Sequence, residues 1–173
     1  NKLSQVKTQK LLNDLPMYLK GIGRTLESMP GKKAIFVILD SDDADCAELK
    51  KDLVEMYEKS GVTVDVYFCI AIEEMEAWLL GDEKAIEEAY PQAKMPLLRK
   101  YVQDSIVGTW EYLADVVYSG GVNALKKKAE SYYEIGLFKC ECAGNIGMYL
   151  NIHENKSPSF NYFINKLNDF CEV

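Results

Sequence analysis

Residues 34–39, "AIFVIL", form an apolar run without alternation that stops at Asp40. A strand with one wet face alternates apolar and polar residues, so an unbroken run predicts a strand covered on both faces, as in parallel sheets flanked by helices. Cys46, Leu49, Leu53 and Met56 or Tyr57 then recur at helical spacing, which predicts a helix over about 44–59 closed by "KSGV" with Gly61. The following "VTVDVYFCIAI" is rich in β-branched and aromatic residues and predicts a second strand ending near Ile72. Strand, helix and strand in this order make a βαβ unit, whose crossover is right-handed almost without exception. Its strands run the same way. The residues just beyond them, Asp40 to Asp45 and Glu73 to Glu76, are therefore expected at one edge of the sheet, where open α/β folds bind ligands.

Around this unit the pattern is helical. Leu11, Leu12, Leu15, Tyr18 and Leu19 make an apolar stripe between Leu3 and about Glu27, which Pro16 is expected to break or restart. Further helices are predicted at about 73–89, 95–118, 121–133 and 143–152, with "YPQAKMP" and "YSGG" as breaks. In the last helix Ser157 suits the N-cap and Pro158 the first helical position, and Phe160, Phe163, Ile164, Leu167 and Phe170 share one face. The expected fold is α/β: one domain over 1–173, with a parallel-sheet core at about 30–90 and a mostly helical C-terminal part at about 91–173.

With 173 residues, 48% of them hydrophobic, the chain can bury a core of its own. A net charge of −7 weighs against a broad basic face wrapping nucleic acid, although a carboxylate-lined metal site in a locally basic groove would give the same total. Arg24 and Arg99 are the only arginines, so lysines would supply any phosphate-binding field. Five cysteines, without framework spacing and without a secretory segment, fit reduced thiols and a cytoplasmic location. No apolar run suits a bilayer, and no membrane association is expected.

Asp40, Asp42, Asp43 and Asp45 crowd the end of the first strand, where like charges repel unless solvent or a cation neutralises them. Asp43 and Asp45 fit the start of the next helix, where aspartate caps free amides and complements the dipole. Asp40 and Asp42 are alternate residues leaving a buried strand, so they can point to the same side and hold one hard cation such as magnesium; a polar loop is the competing reading. An EF-hand fails, because glycine would have to stand at Asp45 and glutamate at Lys51. An aspartyl phosphatase matches poorly at Ala44, and a sugar-nucleotide transferase lacks its upstream nucleotide-binding half. In "IEEMEAWLL", Glu73 and Glu74 read as a solvated helix start. Glu76 lies among apolar neighbours beside Trp78, where cation coordination would offset the cost of a buried carboxylate.

Weaker signals point elsewhere. His153 is the single histidine, which leaves little for a zinc site or a catalytic triad, and "CEC" at 140–142 lacks zinc-knuckle spacing. "KGIGRT" follows no strand, and no Walker-type loop is present. "LKKK" at 125–128 reads as a solvated face able to carry a phosphate backbone.

"VILDSDDADCAELK", "AIEEMEAWLLGD" and "NKSPSFNYFINKL", in that order, resemble a bacterial TOPRIM-like family catalogued as domain of unknown function 4276, related to OLD-type and other TOPRIM nucleases. The resemblance implies a Rossmann-like TOPRIM core in which Asp40, Asp42 and Glu76 ligate Mg2+ or Mn2+ and act catalytically. It implies phosphodiester hydrolysis of DNA or RNA in an anti-phage defence system beside an ATPase partner, chemistry that carboxylates and metal can perform without histidine. Lys139, which with Asn155 precedes the "SPSF" signature, is a candidate substrate-binding residue. TOPRIM enzymes carry a further glutamate at the end of an earlier strand, and no such strand precedes residue 34. The expectation is an N-terminally truncated chain; an incomplete site would instead make it a non-catalytic TOPRIM-like interaction module of a defence complex.

Overall fold

The computed structural model describes residues 2–172 and, within them, the side chains of Lys10 and of residues 12–172, so the Leu11 side chain of the expected stripe lies outside the described residues. The chain forms two compact units. One comprises the chain up to Ile70 together with the segment from Asn165 onward, and the other is Ala71–Ile164.

The first unit is built on helix α1 (Lys2–Glu27), strand β1 (Ala34–Asp40), helix α2 (Cys46–Ser60) and strand β2 (Asp65–Ala71). β1 and β2 pair as a small parallel sheet, two-stranded among the described residues. α2 starts where Asp45 supplies the N-cap, accepting from the Ala47 and Glu48 amides at 2.9 and 3.0 Å, and stops at Gly61, whose φ of 70° few side chains tolerate. Leu15 and Leu19 of α1 meet Leu49 and Leu53 of α2 and Ile35, Leu39, Phe68 and Ile70 of the sheet in one core. Each such side chain contributes about 1.5–3 kcal/mol when fully buried. Pro16 does not break α1, which runs through it. The hydrogen bond that proline forfeits is offset by Leu15 and Leu19, buried on either side of it. Phe36 packs on Tyr67 at 5.0 Å between centroids and edge-on against Phe170 at 6.0 Å.

The second unit holds helices α3 (Glu76–Leu80), α4 (Glu83–Ala89), α5 (Met95–Leu98), α6 (Thr109–Val117), α7 (Gly121–Lys128) and α8 (Tyr132–Gly147), with the opening turns of α9 (Pro158–Cys171). The helix expected over 73–89 is divided at Gly81 and Asp82, because Asp82 accepts from the Ala85 amide at 3.0 Å and restarts the helix as α4. The one expected over 95–118 is divided into α5 and α6 by residues 99–108, and α8 begins directly after Ser131 and runs to Gly147 rather than spanning 143–152. α9 begins at Pro158, where Ser157 Oγ accepts from the Phe160 amide at 3.2 Å. Leu80, Ile86, Leu98, Leu113, Val116, Cys142 and Ile146 form its main core. The fold is thus mixed α/β, a βαβ unit followed by a mostly helical region. Among the described residues no helix is long and apolar enough to cross a membrane.

Candidate functional site

β1 delivers Asp40 at its C-terminal end, half-buried, and Ser41 follows with only 1% of its surface exposed. The Ala44 amide donates to Ser41 O at 2.9 Å, closing a turn in which half-buried Asp42 takes a left-handed φ of 47°. Aspartate tolerates that region better than most residues, at a cost of about 1 kcal/mol. The cap of α2 falls to Asp45, while Asp43 is exposed. The crowded carboxylates therefore divide by role: Asp45 serves the helix, and Asp40 and Asp42 stand ahead of it at the sheet's C-terminal edge.

In the second unit Glu73, Glu74 and Glu76 occupy the turn into α3. Glu73 is no solvated helix start, since α3 begins only at Glu76. With φ at 61°, its carboxylate accepts from the amides of Val107, Gly108 and Thr109 at 3.1, 2.9 and 2.9 Å, and from the Thr109 hydroxyl. They are the amides of the first residue of α6 and of the two residues leading into it, where the N-cap Gly108 has no side chain to offer. Glu73 therefore caps a helix 35 residues downstream.

Glu76 is buried, 5% exposed. Its Oε1 lies 3.3 Å from Lys139 Nζ of α8, and the same ammonium lies 3.3 Å from Glu74 Oε1. Burial by itself would lower the Lys139 pKa, but Glu76 and then Glu74 outweigh it and hold the ammonium above lysine's ordinary value. Glu76 Oε2 is buried and receives no hydrogen bond among the described residues. Lys139, a substrate-binding candidate from the sequence, is thus engaged with two glutamates. Glu74 escaped the sequence reading as a member of this cluster, because its partner lies on a helix far along the chain.

The "EAWLLGD" and "NKSPSF" motifs are bonded to one another: Asn155 Nδ2 donates to Trp78 O at 2.7 Å, Trp78 Nε1 to Ser159 Oγ at 2.8 Å, and the Lys156 amide to Gly81 O at 2.9 Å. Just ahead of the second motif, the Asn151 amide donates to Asp82 Oδ2 at 2.8 Å. Asp104 completes the latch, its two oxygens accepting from Ser157 Oγ and the Ser159 amide at 2.7 Å each. Trp78 is stacked on Phe163 at 5.5 Å and meets Phe160 edge-on at 5.4 Å. Both motifs have a structural task, fixing α3, and with it Glu76, against α9.

The lysines of "LKKK" are exposed on the last turn of α7, Lys126 paired with Glu111 at 3.2 Å and lying over the Trp110 ring. His153 is exposed. For magnesium, all-oxygen donors such as Asp40 and Asp42 suit a hard cation that takes one or two protein carboxylates and fills its sphere with water and phosphate. The orphaned oxygen of Glu76 is likewise a fitting donor. No three His, Cys, Asp or Glu side chains converge on a common metal position among the described residues. The donor chemistry of Asp40 and Asp42 fits, but the described residues hold no assembled triad of ligands.

A family model described as a domain of unknown function (DUF4276) matches residues 2–168. The chain belongs to this family. No curated protein and no solved structure matches it. The match to the DUF4276 domain takes in the Asp40 turn, the Glu73–Glu76 turn, Lys139 and the Asn155–Phe160 latch.

Proposed function

We propose that this DUF4276 domain is a Mg2+- or Mn2+-dependent nuclease domain of TOPRIM type, hydrolysing phosphodiester bonds of DNA or RNA in an anti-phage defence system with an ATPase partner. The observation that carries the reading is the position of Asp40 and Asp42: they leave β1 at the C-terminal edge of a parallel βαβ unit, ahead of the residue that caps α2. A metal bound there would polarise a phosphoryl oxygen and lower the pKa of a bound water. In this reading Asp40 and Asp42 hold the cation, and Glu76 supplies a buried carboxylate whose charge Lys139 partly balances. The Asn155–Ser159 latch holds α3, and so Glu76, in place.

One observation favours a second reading, a non-catalytic interaction module of a defence complex: Lys139 already stands against Glu74 and Glu76 at 3.3 Å. Calorimetric titration of Mn2+ into the native-length protein and into folded Asp40→Asn and Asp42→Asn variants separates the two, together with cleavage assays on DNA and RNA with and without the ATPase. The nuclease reading expects Mn2+ binding lost in both variants and Mn2+-dependent cleavage. Absence of both binding and cleavage in the native-length protein would leave the interaction module.

A further inference from the structure

We infer that Lys139 is the resident counter-cation of a divalent-cation site formed by Glu74 and Glu76, and that a metal enters by displacing its ammonium. The inference deepens the proposed function, resting on it only for the role of Glu76; it is independent of Asp40 and Asp42.

The ammonium bridges one oxygen of each carboxylate at 3.3 Å, longer than the roughly 2.7–2.9 Å of a well-made charge-assisted hydrogen bond. It balances charge without satisfying either acceptor fully. Glu76 holds its charge where only 7% of its side chain is exposed, against an ammonium that it shares with Glu74. Glu76 Oε2 adds a buried acceptor with no donor. A buried ion pair repays its desolvation only where further hydrogen bonds satisfy its remaining lone pairs, which is not the case here. A hydrated divalent cation would meet both needs: it would approach the carboxylate oxygens at about 2.0–2.1 Å, and its waters would donate to Oε2.

Lysine is the side chain suited to yield. Its ammonium sits on a flexible four-carbon stem, and at 29% exposure Lys139 already reaches solvent, so it can swing outward without unpacking α8. Released, it becomes a mobile positive charge beside the metal, where a phosphate would bind. The substrate-binding role expected of Lys139 from the sequence then follows from metal binding.

The test is a Mn2+ titration, by calorimetry and thermal shift, of the full chain as wild type, Lys139→Met, Lys139→Arg and Lys139→Met/Glu74→Gln, each with and without Asp40→Asn/Asp42→Asn. Removing the competing charge is expected to tighten Mn2+ binding in Lys139→Met by about tenfold or more. Lys139→Arg should stay close to wild type, and Glu74→Gln should abolish the gain. The gain should persist in the Asp40→Asn/Asp42→Asn background. If that background loses wild-type binding and Lys139→Met gains nothing in either background, the counter-cation inference falls while the proposed function stands. If Lys139→Met tightens binding while the aspartate variants change nothing, the inference stands and the Asp40 and Asp42 reading falls. A gain that survives Glu74→Gln overturns it too. Should Lys139→Met unfold in chelator, Mn2+ is expected to refold it; failure at saturating Mn2+, where Lys139→Arg folds, overturns the inference.

Discussion

Replacing Glu73 by alanine should destabilise the protein by about 2–3 kcal/mol, although Glu73 belongs to no helix. Its carboxylate accepts from three amides at 2.9–3.1 Å and from the Thr109 hydroxyl. Hydrogen bonds to a charged acceptor contribute about 1.5–3 kcal/mol each, so a simple sum would be far larger. Val107 is exposed and Glu73 and Gly108 only half-buried, so water takes over part of what is lost. Thr109, fully buried, cannot be rescued this way, and its two donors account for most of the estimate. Loss of the favourable carboxylate–dipole interaction at the start of α6 adds about 0.3–1 kcal/mol. Glu73→Gly separates the cap from the backbone: at φ 61° glycine removes about 1 kcal/mol of left-handed strain, so it should fall between wild type and alanine. Urea denaturation gives the totals, and amide exchange of residues 107–113 localises them, with faster exchange expected at the α6 start. A change under about 0.5 kcal/mol with α6 exchange unaltered would refute the capping argument.

Gly81→Ala should cost about 2 kcal/mol or more by equilibrium unfolding, since a Cβ there would lie 2.1 Å from Asn155 Oδ1 and 3.0 Å from the Ser157 amide nitrogen. The backbone at Gly81 is helical, so the cost is close approach rather than φ strain, and Gly81→Ala should cost less in an Asn155→Ala background than in wild type, although Asn155→Ala is itself destabilising. Burial pushes the Cys142 thiol up to about 11, so it should resist iodoacetamide at pH 8 while exposed Cys140 and Cys171 react; mass spectrometry finding Cys142 alkylated as fast as Cys140 would contradict this. The folded state holds that proton more tightly than the unfolded thiol, which has its ordinary value of 9.0. The associated stability is present below pH 9 and is lost as pH rises through about 11.

The βαβ unit was legible because its signals are local. An unbroken apolar run, an aspartate in position to cap and a glycine to end the helix all lie within the element they define. The division at Gly81 and Asp82 is also in the sequence, as a helix-ending glycine followed by a cap, but the apolar spacing runs across it as it would in one helix. Pro16 misled in the opposite direction, since local propensity lost to the packing of Leu15 and Leu19. Residues 99–108 carried no local signal, because what orders them comes from elsewhere: Glu73 at one end, and Ser157 and Ser159 bonded to Asp104. At the candidate site, the crowding of Asp40 to Asp45 was plain and the role of Asp45 followed from spacing. That Lys139 would stand between Glu74 and Glu76 could not be read, since nothing in a sequence records which helix face meets a turn more than sixty residues away.

The first unit is discontinuous, completed by residues beyond Asn165, and that governs when it can finish folding. A ribosome that has released Ile70 has delivered α1, β1, α2 and β2 but not Phe170, whose ring covers Phe36 and whose carbonyl accepts from Lys32 Nζ across 138 positions of sequence. The second unit, contiguous from Ala71 to Ile164, meets no such delay and can close on itself as it emerges. The sheet whose end bears Asp40 therefore waits, one apolar surface uncovered, for the second half of α9 to arrive. Closing a loop of that length slows folding more than it weakens the finished state, so the interval of exposure is a matter of rate. During synthesis the half-built sheet, rather than the helical unit, is where chaperones and proteases would find their hold.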